Sequence, residues 1–358
     1  MRHVSNRILV ACLLHIRLAS AQPASPSVPP TPMNFLVDLE GEVKLQRSQW
    51  DHFVNARPFS IVELGDLIRV APGGRASVIC SDLTIHPLNQ GRSNSVPCPS
   101  GLSLINYRGE SIAPTRGGET SDIPIVLSPR KTIVPAGPIT LRWTSVSGVS
   151  NYEVIVRGGA VDWHSQVSNR ELLVYPSSGP HLSPGTSYML IVNYKDPASG
   201  AERSSREEGT PDLGFSVLTA GDSTRLLRYQ EVITQSSMSA PAKTFVAASV
   251  LMALGLRNEA IDRLERLAAT DPSPMVARAL GALYLGQSLY RYSERWYRKA
   301  AELAKDINDT ESQAVASDKL SGVYRVLGNA TQAARELKMA NDLYRQLGPR
   351  ARSVSSQP

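Results

Sequence analysis

The chain has 358 residues, which predicts two or three domains, and its 38 basic residues outnumber 32 acidic ones. Three arginines lie in the first 21 residues, which hold no acidic residue, so the remainder carries a net charge of only +3. Mixed charge without a basic block argues against a nucleic-acid-binding protein. No later stretch approaches the roughly 18 consecutive apolar residues of a membrane span, so we predict no transmembrane segment after the N-terminus.

The first 21 residues have the pattern of a secretory signal peptide. Met1–Arg7 is basic, Ile8–Leu18 is largely apolar, and Ala19–Ala21 offers a small-residue cleavage site. The apolar run is too short for an uncleaved membrane anchor. Leu9–Cys12 also resembles a bacterial lipobox, so cleavage after the last of these alanines and lipidation at Cys12 both stay open. We expect an exported protein, in the periplasm or on the cell surface.

The next feature is a Pro- and Ser-rich segment, residues 22–33, which predicts an extended and disordered tether. Beyond the signal region the chain keeps two cysteines, Cys80 and Cys98, and in an oxidising compartment such a pair most simply forms a disulfide. Closing this loop would stabilise the fold by roughly 3 kcal/mol in the chain-entropy model. Two thiols 18 residues apart, with His86 between them, do not make a metal-binding set.

Residues 34–120 predict a small β-domain, because short runs alternate apolar and polar residues between Gly, Asp and Pro. The order of four elements resembles the FecR-like domain of bacterial periplasmic proteins: Gly41–Val43, Trp50, Leu64–Val70 and Ala76–Ile79. Cys80–Asp82 replaces the turn that is usual in that family. The resemblance implies a sensory or regulatory role, whereas Gly65 and Asp66 fit a tight turn better than a ligand site.

Residues 122–220 predict a β-sandwich, with strands at Ile139–Trp143, Tyr152–Val156, Leu172–Tyr175 and Gly214–Leu218. The stretch Leu182–Tyr188 resembles the corner of fibronectin type III and immunoglobulin-like sandwiches, in which a tyrosine hydroxyl hydrogen-bonds back to the backbone. The resemblance implies that role for Tyr188. We expect Trp143 and Tyr188 to fill the core, as large aromatic side chains normally do.

The sequence repeats itself after Thr224. Small residues recur at Ala260, Ser293 and Ala333, at intervals of 33 and 40 residues, and a second set stands twelve positions earlier: Ala248, Gly281 and Ser321. A period near 34 with small residues at helix crossings resembles the tetratricopeptide repeat (TPR), which implies about three helix pairs over 224–347. The pairs are predicted at 242–254 and 258–269, 274–286 and 289–304, and 312–327 and 330–346. The predicted fold class is multidomain, β followed by an α-solenoid, with a disordered tail at 348–358.

In tetratricopeptide proteins the first helix of each pair lines a ligand groove. Carried over position by position, the resemblance implies seven groove residues: Phe245, Ser249, Met252, Arg278, Leu285, Asp318 and Arg325. Such a groove is apolar at one end and basic at the other, and suits an extended peptide with an acidic tip. The family's carboxylate clamp is not matched, because Phe245 and Arg278 stand at two of the positions that require Lys or Asn.

A basic face, formed by Arg291, Arg295, Arg298 and Lys299, lies on the second helix of the middle pair with aromatic residues between. This combination occurs in proteins that bind single-stranded nucleic acid. Because export argues against that ligand, we interpret the face as solvated or as a peripheral contact with anionic envelope components.

Recognisable catalytic motifs are absent from the sequence, which has no H-E-x-x-H, G-x-S-x-G, P-loop or G-x-G-x-x-G after a strand. We therefore predict a non-enzymatic protein without cofactor or metal, an adaptor that holds protein or peptide partners together in the cell envelope. Two alternatives stay open: a periplasmic sensory or regulatory protein acting through the FecR-like domain, and an envelope polysaccharide-binding protein using both β-domains. A hydrolase hidden in the β-domains is the enzyme-class rival.

Overall fold

The structure, a computed structural model, describes residues 31–99, 106–107, 122–210 and 213–348. Within these residues the chain runs from β-strands to α-helices, as the sequence predicted. We call its parts the first β region (31–107), the second β region (122–219) and the helical array (220–347). The predicted signal peptide, most of the tether and nearly all of the tail lie outside the described residues.

The first β region contains short strands that pair antiparallel. They are β1 Thr31–Pro32, β2 Asn34–Glu40, β3 Val43–Gln46, β4 Val54–Asn55, β5 Ile61–Val62, β6 Leu67–Val70, β7 Arg75–Ile79, β8 Ile85–Pro87, β9 Ser93–Ser95 and β10 Asn106–Tyr107. Two four-stranded sheets have the orders β5-β2-β7-β8 and β4-β3-β6-β9, while β1 pairs with β10. Strand β1 therefore falls within the segment that we assigned to the tether.

Alternation along the strands places one side of each sheet in a shared core. In β6, Ile68 and Val70 are buried whereas Arg69 is exposed, as expected for a half-buried strand of period two. The core also contains Cys80 and Cys98. Their sulfur atoms form the predicted disulfide, with the two Cα atoms 5.3 Å apart.

The second β region encloses one core between two sheets. Its strands are β11 Val126–Ser128, β12 Thr132–Val134, β13 Thr140–Trp143, β14 Asn151–Gly158, β15 Val161–Ser168, β16 Leu172–Val174, β17 Ser187–Lys195, β18 Glu202–Ser204 and β19 Phe215–Val217. One sheet has the order β11-β13-β16 and the other β12-β19-β17-β14-β15, with β18 beside β17. Trp143 and Tyr188 are buried in the core, and the backbone N–H of Ser183 donates to the Tyr188 hydroxyl at 2.7 Å.

The helical array consists of α-helices joined by short turns. They are α1 Ala220–Gln235, α2 Ala240–Ala253, α3 Arg257–Thr270, α4 Pro274–Gly286, α5 Tyr290–Asp306, α6 Thr310–Val326 and α7 Ala330–Leu347. The side chains of Ser239 and Ser273 cap α2 and α4 by accepting backbone N–H groups. Gly255 follows α2 in the left-handed conformation that glycine adopts without strain. No helix in the described part of the chain has the length and hydrophobicity needed to cross a membrane.

Small residues bring the two helices of each pair close together. Ala260 and Ser293 are fully buried, and the Ser293 hydroxyl donates to the Gly281 carbonyl at 2.9 Å. A Cβ atom added to Gly281 would lie 2.9 Å from the ring of Tyr297. Any larger side chain at Gly281 would therefore push α4 away from α5.

A single apolar core joins all three parts of the chain. It contains Phe35 and Phe59 from the first β region, Ile125 and Leu218 from the second, and buried side chains of α1 to α4. Neither β region is therefore an appendage of the helical array, because each contributes buried side chains to the same apolar core.

Candidate functional site on the helical array

The seven predicted groove residues lie on α2, α4 and α6, and we call this surface the groove face. Their environments differ strongly along the array. On α2, Phe245 and Ser249 are buried, while Arg325 near the end of α6 is exposed. The other four are half-buried: Met252, Arg278, Leu285 and Asp318.

At the α2 end, the groove face is covered by the chain's own first β region. Phe59 stacks on Phe245 with ring centroids 4.4 Å apart and planes 11° apart. Phe35 meets the same ring edge-on at 5.3 Å. Aromatic pairs at these distances contribute roughly 0.5–1.5 kcal/mol each beyond their buried area. Phe245 is only 3% exposed as a result.

Phe59 reaches Phe245 from an unfavourable backbone conformation. Its φ of 66° lies in the left-handed region, which costs a bulky L-residue on the order of 1–3 kcal/mol. Such strain persists where surrounding contacts outweigh it. Here the Phe59 backbone N–H donates to the Leu36 carbonyl at 2.7 Å, and the ring is almost completely buried.

At the α6 end of the groove face, an arginine of the first β region forms a bridge to the helices. Arg47 donates from Nε and Nη2 to the two carboxylate oxygens of Glu311, at 2.9 and 3.0 Å. Its Nη1 donates to Asp66 at 2.8 Å. Burial disfavours the charged guanidinium, but the negative charges of Glu311 and Asp66 outweigh that effect and raise the pKa of Arg47.

Asp66 belongs to the turn predicted at Gly65 and Asp66. Its carboxylate accepts the backbone N–H groups of Ser48 and Glu63, at 3.1 and 3.0 Å, and is 2% exposed. The turn interpretation therefore describes its local contacts. What the sequence did not indicate is that the same carboxylate also positions Arg47 against α6.

An apolar contact reinforces this bridge. Trp50 is buried in a cluster with Ala314 of α6 and with Ala340, Tyr344 and Leu347 of α7. The side chain of Arg57 donates to the Ile307 carbonyl beyond α5. The first β region thus contacts both ends of the groove face. At the α6 end, the bonded residues Arg47 and Glu311 are 264 residues apart in sequence.

The second β region contacts the turns that follow α2 and α4. Arg130 is completely buried and forms a bidentate ion pair with Glu208, at 2.8 and 2.5 Å. Its Nε also donates to the Gln287 carbonyl after α4, at 2.6 Å. The backbone N–H of Ile133 donates to the Gly255 carbonyl after α2, at 2.8 Å. These contacts fix the α2–α3 and α4–α5 turns on one edge of a sheet.

The remaining groove residues make contacts within the array. Arg278 donates to the hydroxyl of Ser312 at 3.3 Å, which links α4 to α6. Leu285 packs on the cluster around Tyr297 and Leu320. Asp318 lies 3.9 Å from Lys319. The residues of the first β region that cover the groove face, Arg47, Trp50 and Phe59, were not among the predicted site residues.

Comparisons with known proteins give weak similarities only. No family model matches the sequence, and no curated protein matches it. Among solved structures, "MamA 41-end from Desulfovibrio magneticus RS-1" is 17% identical over 35% of this chain and 70% of that one, with a TM-score of 0.29. "MamA AMB-1 C2221" is 16% identical over 34% and 91% of the two chains, with a TM-score of 0.21.

A beta-1,2-glucanase from Parabacteroides distasonis aligns with 89% of this chain and 49% of its own. Its identity is 9% and its TM-score 0.21. Because all of these TM-scores lie far below 0.5, we base no conclusion about this chain on them.

Proposed function

We propose that this chain is a non-enzymatic, exported adaptor whose helical array binds protein or peptide partners. The observation that carries the proposal is the stack of helix pairs from α2 to α7, held together by small residues such as Gly281 and Ser293. Stacked helix pairs present extended surfaces suited to protein binding. The TPR-like character of the pairs, first indicated by the repeat period, is part of this proposal.

The accessible parts of the array decide where a partner docks. Phe245 and Ser249 are covered by the chain itself, so a partner at the α2 end would have to displace the first β region. Arg325 is exposed at the far end of α6. We therefore place partner binding on the open surfaces near α5 and α6.

Two family assignments belong to the same proposal. We assign the first β region to the FecR-like domains, which is supported by the turn at Asp66 and by the paired four-stranded sheets. We assign the second to the fibronectin type III or immunoglobulin-like sandwiches, supported by the hydrogen bond between Ser183 and Tyr188. The Cys80–Cys98 disulfide supports export, because disulfides persist in oxidising compartments.

The experiment that tests the function has to use the whole chain. Truncation after Ala220 would expose the core that the β regions share with α1 to α4, so a negative result would only report unfolding. We would instead immobilise the full-length mature protein and capture partners from envelope extract. Arg325→Glu reverses a charge on the helical array, and Arg142→Glu makes the matched change on an exposed position of β13.

If the chain is an adaptor, the unmodified protein and the Arg142→Glu variant should capture the same partner proteins. These partners should be lost with Arg325→Glu or with charge reversals on α5. Proteins or polysaccharides that are lost only with Arg142→Glu would instead show that the β regions bind them. The sensory and the polysaccharide-binding alternatives would then lead.

A further inference from the structure

A cleft of about 660 Å³ lies between α3, the beginning of α4 and α5. We call it the α5 cleft. Its apolar lining includes the exposed Pro272 and four side chains that are buried or half-buried within the array: Ala268, Ala277, Trp296 and Leu303. On α5, Arg295 and Lys299 also line the cleft but are exposed to solvent. The cleft thus combines recessed apolar groups with charged groups that stand further out.

The positive charges of the α5 cleft are only partly neutralised. Glu294 is paired with Arg291 at 3.2 Å and with Arg298 at 2.9 Å. Arg298 also donates to the hydroxyl of Tyr324 at 2.9 Å, so both of these arginines are held within the array. Four cations and two carboxylates line the cleft. One of the carboxylates, Glu294, is already paired with Arg291 and Arg298.

The cations that remain for a ligand are Arg295 and Lys299. Arg295 lies over the ring of Tyr292 at 5.0 Å and has no carboxylate within ion-pair distance among the described residues. Within the described part of the chain, Lys299 reaches one carboxylate, that of the exposed Glu302, at 3.9 Å. An exposed pair at that distance contributes little, because water screens it. The open side of the cleft is therefore positive.

We propose that the α5 cleft binds an extended acidic segment of a partner protein, in which acidic and apolar residues alternate; this inference rests on the adaptor function proposed above. Arg295 and Lys299 are four residues apart on one helix, about 6 Å along its axis. Carboxylates at alternate positions of an extended strand are about 6.8 Å apart, and the intervening side chains point to the opposite side. Such a segment matches the spacing of the two exposed cations, and its opposite side faces the more buried apolar lining of the cleft, which includes Trp296.

An anionic bilayer shares the charge but not the shape of this ligand. The apolar lining of the cleft lies below Arg295 and Lys299, so a flat surface would contact the cations and leave the half-buried Trp296 untouched. A peptide side chain enters a cleft of this volume, whereas a bilayer surface does not. Burial of one leucine side chain would tighten binding by about tenfold or more, a gain that a purely electrostatic contact lacks.

The test measures fluorescence anisotropy of three labelled peptides with the full-length protein at low salt. Their sequences are Gly-Glu-Leu-Glu-Leu-Glu-Gly, the same peptide with Ser for Leu, and the same peptide with Lys for Glu. We expect the Glu–Leu peptide to bind about tenfold more tightly than the Glu–Ser peptide and the Lys–Leu peptide not to bind. The double variant Arg295→Glu, Lys299→Glu should weaken Glu–Leu binding by about tenfold or more.

The matched control is Arg225→Glu, an exposed charge reversal on α1, which should leave peptide binding unchanged. Circular dichroism and urea midpoints establish that each variant is folded. Equal binding of the Glu–Leu and Glu–Ser peptides, no loss in the double variant, or no peptide binding at all overturns the proposal. Flotation with phosphatidylglycerol vesicles in place of peptide binding would overturn it in favour of an anionic lipid.

Failure of this inference differs from failure of the adaptor function. If captured partners still bind the Arg295→Glu, Lys299→Glu chain but not Arg325→Glu, the adaptor function holds and the α5 cleft is not its site. If the Glu–Leu peptide binds through Arg295 while no envelope protein is captured, the cleft is a peptide site and the adaptor function is wrong.

Discussion

The groove face and the α5 cleft lie on the same helical array but differ in what covers them. On the groove face, Phe245 is covered by two phenylalanine rings of the first β region, and Glu311 is held by an arginine of that region. In the α5 cleft, Arg295 and Lys299 stay exposed beside apolar groups, such as Trp296 and Leu303, that the array buries only in part. One surface is used for internal packing, and the other is open to a ligand.

This difference shows how far a repeat pattern predicts a binding surface. The position of a residue within a helix pair determines which way its side chain faces in an isolated array. Whether the side chain meets a partner or another part of its own chain depends on the neighbouring domains. Substitutions on the two surfaces test that distinction.

Phe245→Ala should lower the free energy of unfolding by about 3–5 kcal/mol, because it leaves a cavity between Phe35 and Phe59. Urea unfolding followed by circular dichroism measures the change. Leu227→Ala on α1 is the control, since Leu227 is 66% exposed and the loss should stay within about 0.5 kcal/mol. Equal, small losses in both variants would mean that the groove face is open.

Replacing both Cys80 and Cys98 by Ser should cost about 3 kcal/mol, because the reduced loop gains conformational freedom in the unfolded state. Because the first β region packs on α2, loosening it should also make amide hydrogen exchange in α2 faster. Unchanged exchange in α2, measured by mass spectrometry alongside a lower urea midpoint, would contradict the covering role.

Glu259→Gln should make the protein more stable at pH 8 but not at pH 5. Burial on α3 raises the pKa of Glu259 to about 7, so the folded state binds this proton more tightly than the unfolded chain does. Stability from this group is complete below about pH 4.5 and is lost as the pH rises through 7. We expect a gain of about 2 kcal/mol at pH 8, measured by urea unfolding, and none for the exposed Glu302→Gln.

Arg295→Glu should change the free energy of unfolding by less than about 0.5 kcal/mol, because Arg295 is exposed and pairs with no carboxylate in the described part of the chain. Urea unfolding at two salt concentrations measures it. A loss of the size expected for Phe245→Ala would show that the α5 cleft, like the groove face, serves internal packing.

Local signals explain what the sequence predicted well. The helices α2 to α7 begin and end within two residues of their predicted bounds, because apolar periodicity, capping side chains such as Ser273 and turn residues such as Gly255 act over a few residues. The disulfide followed because the chain beyond the signal region has only Cys80 and Cys98. The Tyr188 hydrogen bond followed from a stretch of seven residues.

Long-range contacts could not be predicted in the same way. Arg47 and Glu311 are separated by 264 residues, and neither stands in a motif that indicates the other. Phe59 occupies a left-handed conformation that its residue type disfavours, and the contacts that stabilise it, the packing on Phe245 and the hydrogen bond to the Leu36 carbonyl, are not visible in the local sequence. The predicted groove residues were carried over from the tetratricopeptide resemblance, and a residue's position in a repeat carries no information about other domains that pack on the helix.

The most direct test of the account is a double-mutant cycle between Arg47 and Glu311. The free energies of unfolding of the full-length protein, Arg47→Met, Glu311→Gln and the double variant give the coupling between the first β region and α6. The exposed pair of Arg75 and Glu40 within the first β region is the control, and its coupling should be near zero. A coupling of about 1–3 kcal/mol between Arg47 and Glu311 is the predicted result, because both carboxylate oxygens of Glu311 accept from one largely buried guanidinium. A coupling near zero would show that Arg47 does not hold the first β region on α6, and the α6 end of the groove face would then be open to a partner.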